Sequence, residues 1–299
     1  MEFLNTFING LSVGGVYAMI ALGYTMVYGI AKMLNFAHGD IIMVGAYMIV
    51  LFLPINPIVA IIAAIVLCAL LGIFIEKIAY KPLRGASPLA VLITAIGVSY
   101  LLQSLAQAIA GPTTYHPNPL EKLFPKFMGE PTYGIIKIGA FQIKLSTLIT
   151  LICVALVMIG LTLFVKKTKI GRAMVAVSED KGAAQLMGIN VNNIIMITFA
   201  IGSSLAALAS VLTTFESASV ETTMGSLPGI KAFTAAVIGG IGSIPGAMIG
   251  GIILGLVECF AQAFPRIAPY TVAIEFSLLI IVLLVKPTGI LGKKRREKV

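Results

Sequence analysis

The feature of this sequence that most restricts its fold is a series of continuous apolar runs separated by short polar segments. A helix needs roughly 20 apolar residues to cross the hydrocarbon core of a bilayer. Such runs occupy approximately residues 7–28, 33–53, 58–75, 89–110, 145–165, 194–215 and 270–285. The sequence is 59% hydrophobic and 11% charged, whereas a soluble domain carries about 25% charged residues. A soluble domain is therefore excluded, and because the runs do not alternate apolar and polar residues, so is a transmembrane barrel.

The stretch at 229–264 is apolar but interrupted. Glycine and proline cluster at 239–246, and both residue types tend to end helices. We therefore predict a short helix at about 230–240 and a longer helix at about 247–263. The predicted fold is an all-α polytopic membrane protein, a bundle of about eight or nine transmembrane helices with broken or short helices near 35–40 and 239–246.

The distribution of basic residues predicts how the helices are oriented. Lysine and arginine favour the cytoplasmic side, and they are concentrated at 76–86, at 166–190 and in the tail at 293–299. These segments share one side only if the stretch at 229–264 crosses twice. We therefore predict about nine crossings within a single transmembrane domain (1–299), with the N-terminus outside; eight crossings with a re-entrant segment are the alternative. The loops account for the net charge of +9 without nucleic acid as a partner.

The start of the chain has no basic segment before its first apolar run. A cleaved signal peptide normally begins with such a segment. We therefore expect the first run to be kept as a membrane helix.

Two polar segments are long enough to have structure of their own. The segment at 111–144 contains Pro112, Pro117, Pro119, Pro125 and Pro131 and is predicted to be an ordered extracytoplasmic loop. The segment at 166–190 begins with a basic cluster and continues with small and apolar residues among polar ones. That pattern is typical of a short amphipathic helix at a membrane surface.

Within the second segment, two alanines are followed four residues later by a glycine. This pattern resembles the cytoplasmic coupling motif of ABC-importer permeases, in which a short helix binds the ATPase. The glutamate that usually begins the motif is replaced here by Gly182. The candidate coupling residues are Glu179, Gly182, Ala183, Ala184 and Gly188.

Two breaks within the apolar runs are candidate parts of a substrate pathway. Irregular backbone at membrane depth is tolerated only where protein or water satisfies it, and broken helices commonly line the substrate sites of transporters. We expect Asp40 to cap the helix after the first break and His38 to form a hydrogen bond across it; alternatively, both only stabilise the break. The small residues after both breaks suggest an inverted repeat whose breaks meet near the axis. The candidate pathway residues are Asn35, Phe36, His38, Gly39, Asp40, Gly240, Gly242 and Ser243.

Further polar residues lie inside or beside the apolar runs. The charged ones near the end of the chain are Lys231, Glu258, Arg266 and Glu275. Because a charge at the bilayer centre costs ~3 kcal/mol or more, we interpret these four as a structural ion-pair cluster, with ion coupling as the alternative. Ser99, Gln103 and Gln107 form a stripe on one helix face that we expect to contact the bundle or the pathway.

No known catalytic or nucleotide-binding motif is present in the sequence. The chain is therefore not predicted to be an enzyme, and we expect neither a metal nor a cofactor. If ATP drives its activity, hydrolysis takes place on another chain.

Several stretches together resemble one family. They lie at 14–23, 34–47, 171–189 and 228–251 and include LNFAHGD and KAFTAAVIGGIGSIPG. In this order they resemble the LivH-type permeases of branched-chain amino acid ABC importers. The resemblance implies a bacterial cytoplasmic (inner) membrane protein that carries leucine, isoleucine or valine. It also implies a second, LivM-like permease, two LivG/LivF-like ATP-binding subunits and an extracytoplasmic substrate-binding protein.

Two alternatives stay open from the sequence. Permeases for urea, short amides or other amino acids resemble this family, so the cargo could be one of those. An ion-coupled secondary transporter of a small solute could instead use Asp40, His38, Glu258 or Glu275. The source of energy distinguishes this second alternative from an ABC permease.

Overall fold

The structure is a computed structural model that describes residues 2–123, 135–138, 141–216 and 219–292. The basic tail at 293–299 lies outside the described residues. The α-helices of the described part are α1 (Glu2–Ala31), α2 (His38–Phe52), α3 (Pro57–Ile75), α4 (Pro88–Ala110), α5 (Pro119–Leu123), α6 (Leu145–Lys167), α7 (Lys169–Glu179), α8 (Lys181–Leu186), α9 (Val191–Phe215), α10 (Ser226–Gly239), α11 (Ile244–Ala263) and α12 (Thr271–Val285). A small antiparallel hairpin of β1 (Ile135–Ile138) and β2 (Phe141–Lys144) precedes α6. The predicted all-α polytopic fold is confirmed, with this hairpin as an addition.

In the described part of the chain, nine apolar helices form the bundle. Seven of them are long enough to cross a membrane: α1, α3, α4, α6, α9, α11, and α12 when it is taken together with the helical turn Ala268–Tyr270 that precedes it. The other two, α2 and α10, have 15 and 14 residues and are shorter than a full crossing. The described helices thus agree with the predicted bundle of eight or nine.

One end of the bundle, here called the basic end, brings together four segments that are distant in sequence. The Lys181 Nζ donates to the Ala31 carbonyl (3.0 Å), which joins the segment at 166–190 to the end of α1. Arg84, after α3, donates to Asn192 at the start of α9. The Ile290 N–H donates to the Ile238 carbonyl (2.8 Å), which adds the turn after α12.

The charges of the described residues are unevenly divided between the two ends. The basic end carries ten lysines and arginines, namely Lys32, Lys77, Lys81, Arg84, Lys166, Lys167, Lys169, Arg172, Lys181 and Lys286. Its carboxylates are Glu76, Glu179 and Asp180. Elements at the opposite end carry three basic and three acidic residues, namely Lys122, Lys144, Arg266, Glu121, Glu216 and Glu221. The strong excess of positive charge is therefore confined to one end.

The centre of the bundle is α1. Of its most apolar 18-residue window, 89% is buried, compared with 11% for α12. Small residues allow α11 to pack very closely against it: a Cβ added to Gly14 would lie 2.7 Å from the Ile252 Cα. Close backbone contact of this kind is typical of membrane helix pairs. The remaining helices surround this central pair.

The chain breaks where sequence analysis placed the breaks. Between α1 and α2 the chain is irregular from Lys32, which has a positive φ of 59°, to Ala37. Between α10 and α11, Gly240 and Gly242 have φ of 105° and 94°, and Pro245 then stands in the first turn of α11. A left-handed backbone followed by proline ends one helix and begins the next.

The half-length helices α2 and α10 begin in the middle of the bundle. His38, the first residue of α2, packs against Gly23 of α1, which lies eight residues or roughly 12 Å before the end of that helix. Gly225, just before α10, contacts Gly39 so closely that a Cβ on either would overlap the other's carbonyl oxygen. The N-termini of α2 and α10 therefore meet, and from there the helices run to opposite ends of the bundle.

The segment at 166–190 contains two short helices rather than one. After α7, the side chain of Asp180 accepts hydrogen bonds from the N–H groups of Gly182 (2.8 Å) and Ala183 (3.0 Å) and thereby begins α8. An aspartate in this position is a strong start signal for a new helix. The prediction of a single helix is therefore wrong at Asp180.

Candidate functional site

A polar cluster lies where the N-termini of α2 and α10 meet. The carboxylate of Asp40 is buried and accepts a hydrogen bond from Gln103 Nε2 of α4 (2.8 Å). The same amide nitrogen lies 3.3 Å from Ser226 Oγ, at the first residue of α10, and 3.3 Å from Ser99 Oγ. The residue before α2 is Ala37, and no side chain caps this helix. The prediction that Asp40 caps α2 is therefore wrong, because its carboxylate is used between helices.

Three residues of the first break, Leu34, Asn35 and His38, line a narrow cavity on the side toward the basic end. Its walls are Tyr24, Val27, Tyr28, Leu34, Asn35, His38, Phe233, Ala236 and Ile241. The cavity has space for about one water molecule. Asn35 Oδ1 accepts from the Tyr80 hydroxyl (2.9 Å), but Asn35 Nδ2 and His38 Nε2 are buried without a hydrogen-bond partner in the described structure. Buried polar atoms normally have a hydrogen-bond partner, so these two atoms make the wall of the cavity polar.

Aromatic rings separate this cavity from the polar cluster. The Tyr24 ring packs edge-on against His38 with 4.6 Å between the ring centroids, and it lies 5.9 Å from Phe233. Phe36 packs against the other side of Phe233 at 5.4 Å. Tyr24 also hydrogen-bonds to the backbone of Gly39. The predicted residues Asn35, Phe36, His38, Gly39 and Asp40 are thus gathered around one point in the middle of the bundle.

The residues of the second break lie closer to the basic end. Gly242 packs against Gly29 near the end of α1, and Gly240 packs against Gly292. Ser243 Oγ accepts from the Gly246 N–H (3.2 Å) and caps α11. Only Ile241 of this break reaches the cavity. The two breaks therefore share one wall of the cavity through Ile241, while the backbone of the first break packs most closely on the segment before α10.

Three of the four charged residues near the end of the chain form a buried cluster. Lys231 Nζ of α10 lies 2.7 Å from Glu258 Oε1 of α11 and 3.1 Å from Glu275 Oε1 of α12. Glu258 also accepts hydrogen bonds from the Tyr17 hydroxyl (2.6 Å) and from Gln262 Nε2 (3.1 Å). The fourth residue, Arg266, is exposed between α11 and α12 and forms no salt bridge with a described residue. Its inclusion in the predicted cluster is wrong, because the turn after α11 directs it outward.

The predicted coupling residues lie at the basic end, outside the apolar helices. Glu179, Gly182, Ala183 and Gly188 are exposed, whereas Ala184 is buried. Gly188 has a φ of 79° and ends α8. Partial burial, together with the nearby positive charge of Arg84, lowers the pKa of Lys181. The segment therefore has an anchored side and an exposed side.

Several residues of these sites were not identified as site residues from the sequence. Leu186 and Met187 are 91% and 81% exposed although they are large and apolar. Ser226 and Tyr24 reach the polar cluster only because two backbones approach at Gly39 and Gly225. The polar stripe predicted on α4 did indicate this polar cluster, because Gln103 belongs to the stripe and donates to Asp40.

A family profile matches most of this chain. The family is described as the permease component of the branched-chain amino acid transport system, and the match covers residues 6–283. The chain belongs to this family. The permease is 43% identical, over its whole length and 98% of the relative, to the high-affinity branched-chain amino acid transport permease BraD of Pseudomonas aeruginosa. It is 40% identical, with the same coverage, to LivH of Escherichia coli.

The similarity extends to a distant organism. A probable branched-chain amino acid transport permease LivH of Methanocaldococcus jannaschii is 30% identical over 92% of the permease and 88% of that protein. The resemblance to LivH-type permeases is thus confirmed, and the chain is a multi-pass membrane protein.

Proposed function

We propose that the permease is the membrane subunit of an ATP-driven importer that moves branched-chain amino acids across the bacterial inner membrane. The observation that carries this proposal is the full-length similarity to BraD and LivH. Positive charge favours the cytoplasmic side, so we place the basic end there and the segment at 111–144 outside.

The segment at 166–190 is proposed to bind an ATP-binding (LivG/LivF-like) subunit. Leu186 and Met187 project from the basic end beyond the apolar helices, and exposed apolar side chains in such a position mark a protein contact. A Cβ on Gly171 would overlap the backbone of Phe164 and Val165, so α7 packs tightly on the end of α6. The hydrogen bond from Lys181 to the Ala31 carbonyl connects the same segment to the central helix α1. Closure of an ATPase dimer would therefore move α6 and α1 as rigid bodies.

A second, LivM-like permease is proposed to cover α4. Only 17% of the most apolar window of α4 is buried. Ser104, about two turns before the end of this helix, is exposed, and a polar side chain that faces lipid there is unfavourable. A protein partner or a hydrated pathway at this face would satisfy it. The substrate-binding protein would deliver the amino acid at the opposite end.

The test uses the permease reconstituted with its three kinds of partner in proteoliposomes. We expect Leu186→Ser with Met187→Ser to abolish ATP-driven leucine uptake and to release the ATP-binding subunits, because the exposed apolar contact is lost. Ile267→Ser changes an exposed apolar residue between α11 and α12 and serves as the matched control with normal uptake. Normal uptake and assembly in the double variant would contradict the proposed coupling.

A second candidate function is ion-coupled transport, which the buried carboxylates Glu258 and Glu275 favour, since intramembrane acidic residues often carry protons or ions. Uptake by the permease alone, without ATP but abolished by an ionophore, would support it. Urea and short amides are tested as competing cargo in the same vesicles.

A further inference from the structure

Asp40 is a buried carboxylate without a cation. Its residue is 2% exposed, and it forms no salt bridge with any residue in the described ranges. Its side-chain partners Gln103 and Ser99 are neutral. Lys231, the buried cation of the adjacent helix α10, is already bound to two glutamates. The protein thus places a carboxyl group in the bundle interior with no protein cation beside it, where its ionised form is costly.

The surroundings of Asp40 reduce this cost but leave the charge uncompensated. Asp40 stands in the first turn of α2, and the start of α10 lies against it at Gly225. Helix N-termini carry partial positive charge and stabilise a carboxylate. They do so without supplying a counter-ion, so a cationic group that reaches this point would be attracted strongly in the low-dielectric interior.

The neighbouring polar atoms and rings show what kind of cation fits. Gln103 and Ser226 are partly exposed, so the polar cluster can be approached from the α4 side. On the other side, the rings of Tyr24, Phe36 and Phe233 pack against one another and form an apolar surface. Beyond them, the unpartnered Asn35 Nδ2 and His38 Nε2 mark a cavity that is too narrow in this conformation for a branched side chain.

We propose that Asp40, assisted by Gln103 and Ser226, binds the α-ammonium group of the amino acid cargo while its apolar side chain packs on the aromatic rings. This inference rests on the proposed function, since it takes an amino acid as the cargo. In this assignment Asp40 selects cargo that carries a primary ammonium group over molecules that are neutral or anionic at the same position. Tyr24 must move before the cargo can pass toward the basic end.

The first experiment compares Asp40→Asn and Asp40→Glu in the reconstituted complex. Asparagine keeps the size and an acceptor for Gln103, so folding should persist, but the charge is lost. We expect leucine uptake to fall about tenfold in Asp40→Asn, on the scale of one charge-assisted hydrogen bond. ATP hydrolysis and subunit assembly should stay within about twofold of normal, and Asp40→Glu should recover part of the uptake. Glu221→Gln, an exposed carboxylate at the opposite end, is the control with normal uptake.

The second experiment does not depend on transport. Ser226→Cys is introduced after Cys68, Cys153 and Cys259 are replaced by serine, and labelling by thiosulfonate reagents is followed in the intact complex. We expect a cationic reagent to react about tenfold faster than an anionic one and the ratio to approach one with Asp40→Asn. Leucine should slow the labelling, whereas 4-methylpentanoate, which lacks only the ammonium group, should not.

The outcomes separate this inference from the proposed function. Normal uptake in Asp40→Asn, or equal protection by leucine and 4-methylpentanoate, would overturn the assignment of Asp40 while leaving an ATP-driven importer intact. Labelling at position 226 that neither leucine nor 4-methylpentanoate slows would also overturn the assignment of Asp40. ATP-independent uptake by the normal permease would overturn the proposed function, and charge-selective labelling at position 226 would then still report on Asp40.

Discussion

At the scale of single residues, the buried cluster around Lys231 holds one cation between two carboxylates. Glu258 has further donors in Tyr17 and Gln262, whereas Glu275 depends on Lys231 alone among the described residues. Removing the shared cation leaves two neighbouring buried carboxyl groups without a counter-charge, which is strongly unfavourable. Removing one carboxylate leaves a balanced pair.

This asymmetry gives the first prediction. Lys231→Met should destabilise the permease by about 3–5 kcal/mol, while Glu275→Gln should cost much less because the pair of Lys231 and Glu258 survives. Thermal unfolding of both variants in detergent measures the difference. A Lys231→Met variant that unfolds at the normal temperature would show that the cluster contributes nothing to stability.

Most members of the buried cluster around Lys231 could be predicted from the sequence. Charges in apolar runs must be paired, and this rule identified Lys231, Glu258 and Glu275 before the structure was known. It included Arg266 wrongly, because proximity in sequence does not determine the direction of a side chain in a turn. Asp40 was identified instead from the break in the second apolar run, but its predicted role as a helix cap was wrong, since its carboxylate accepts from Gln103, 63 residues away.

At the scale of helices, the close packing of α1 on α11 depends on small residues. Gly14→Ala places a methyl group against the backbone of Ile252, and we expect a loss of about 1–3 kcal/mol from this overpacking. Gly160→Ala in α6 is the matched control, because nothing lies within 4 Å of the added carbon. Thermal unfolding should show a lower transition only for Gly14→Ala; equal transitions would mean that α11 shifts away at little cost.

The positions of the helices were predictable, but the meeting of α2 with α10 was not. Glycine and proline end helices by local geometry, so the breaks after α1 and α10 can be read from the sequence. The segment before α10 is polar and reads as an outer loop, yet it enters the bundle because Gly39 and Gly225 allow backbone contact. Such a contact is tertiary and leaves no local pattern.

At the scale of the whole molecule, the charge difference between the two ends predicts orientation. We expect Gln185→Cys, at the basic end, to react with a membrane-impermeant maleimide only in inside-out vesicles. Thr114→Cys, in the loop after α4, should react only in right-side-out vesicles, and both positions are exposed. The unmodified permease, whose cysteines lie in apolar helices, provides the background. The reverse pattern would place α7 and α8 outside and remove their proposed ATPase contact.

The buried position of α1 also has a consequence for biogenesis. This helix is synthesised before α11, which covers its glycine face and which the ribosome completes roughly 230 residues later, an interval of about 12–46 s at ordinary elongation rates. Until then α1 lies beside the translocon or in lipid, and no helix is packed on its glycine face. Maturation of the permease is therefore a late closing event, and a nascent chain interrupted before α11 is left as an open bundle that quality-control proteases can recognise.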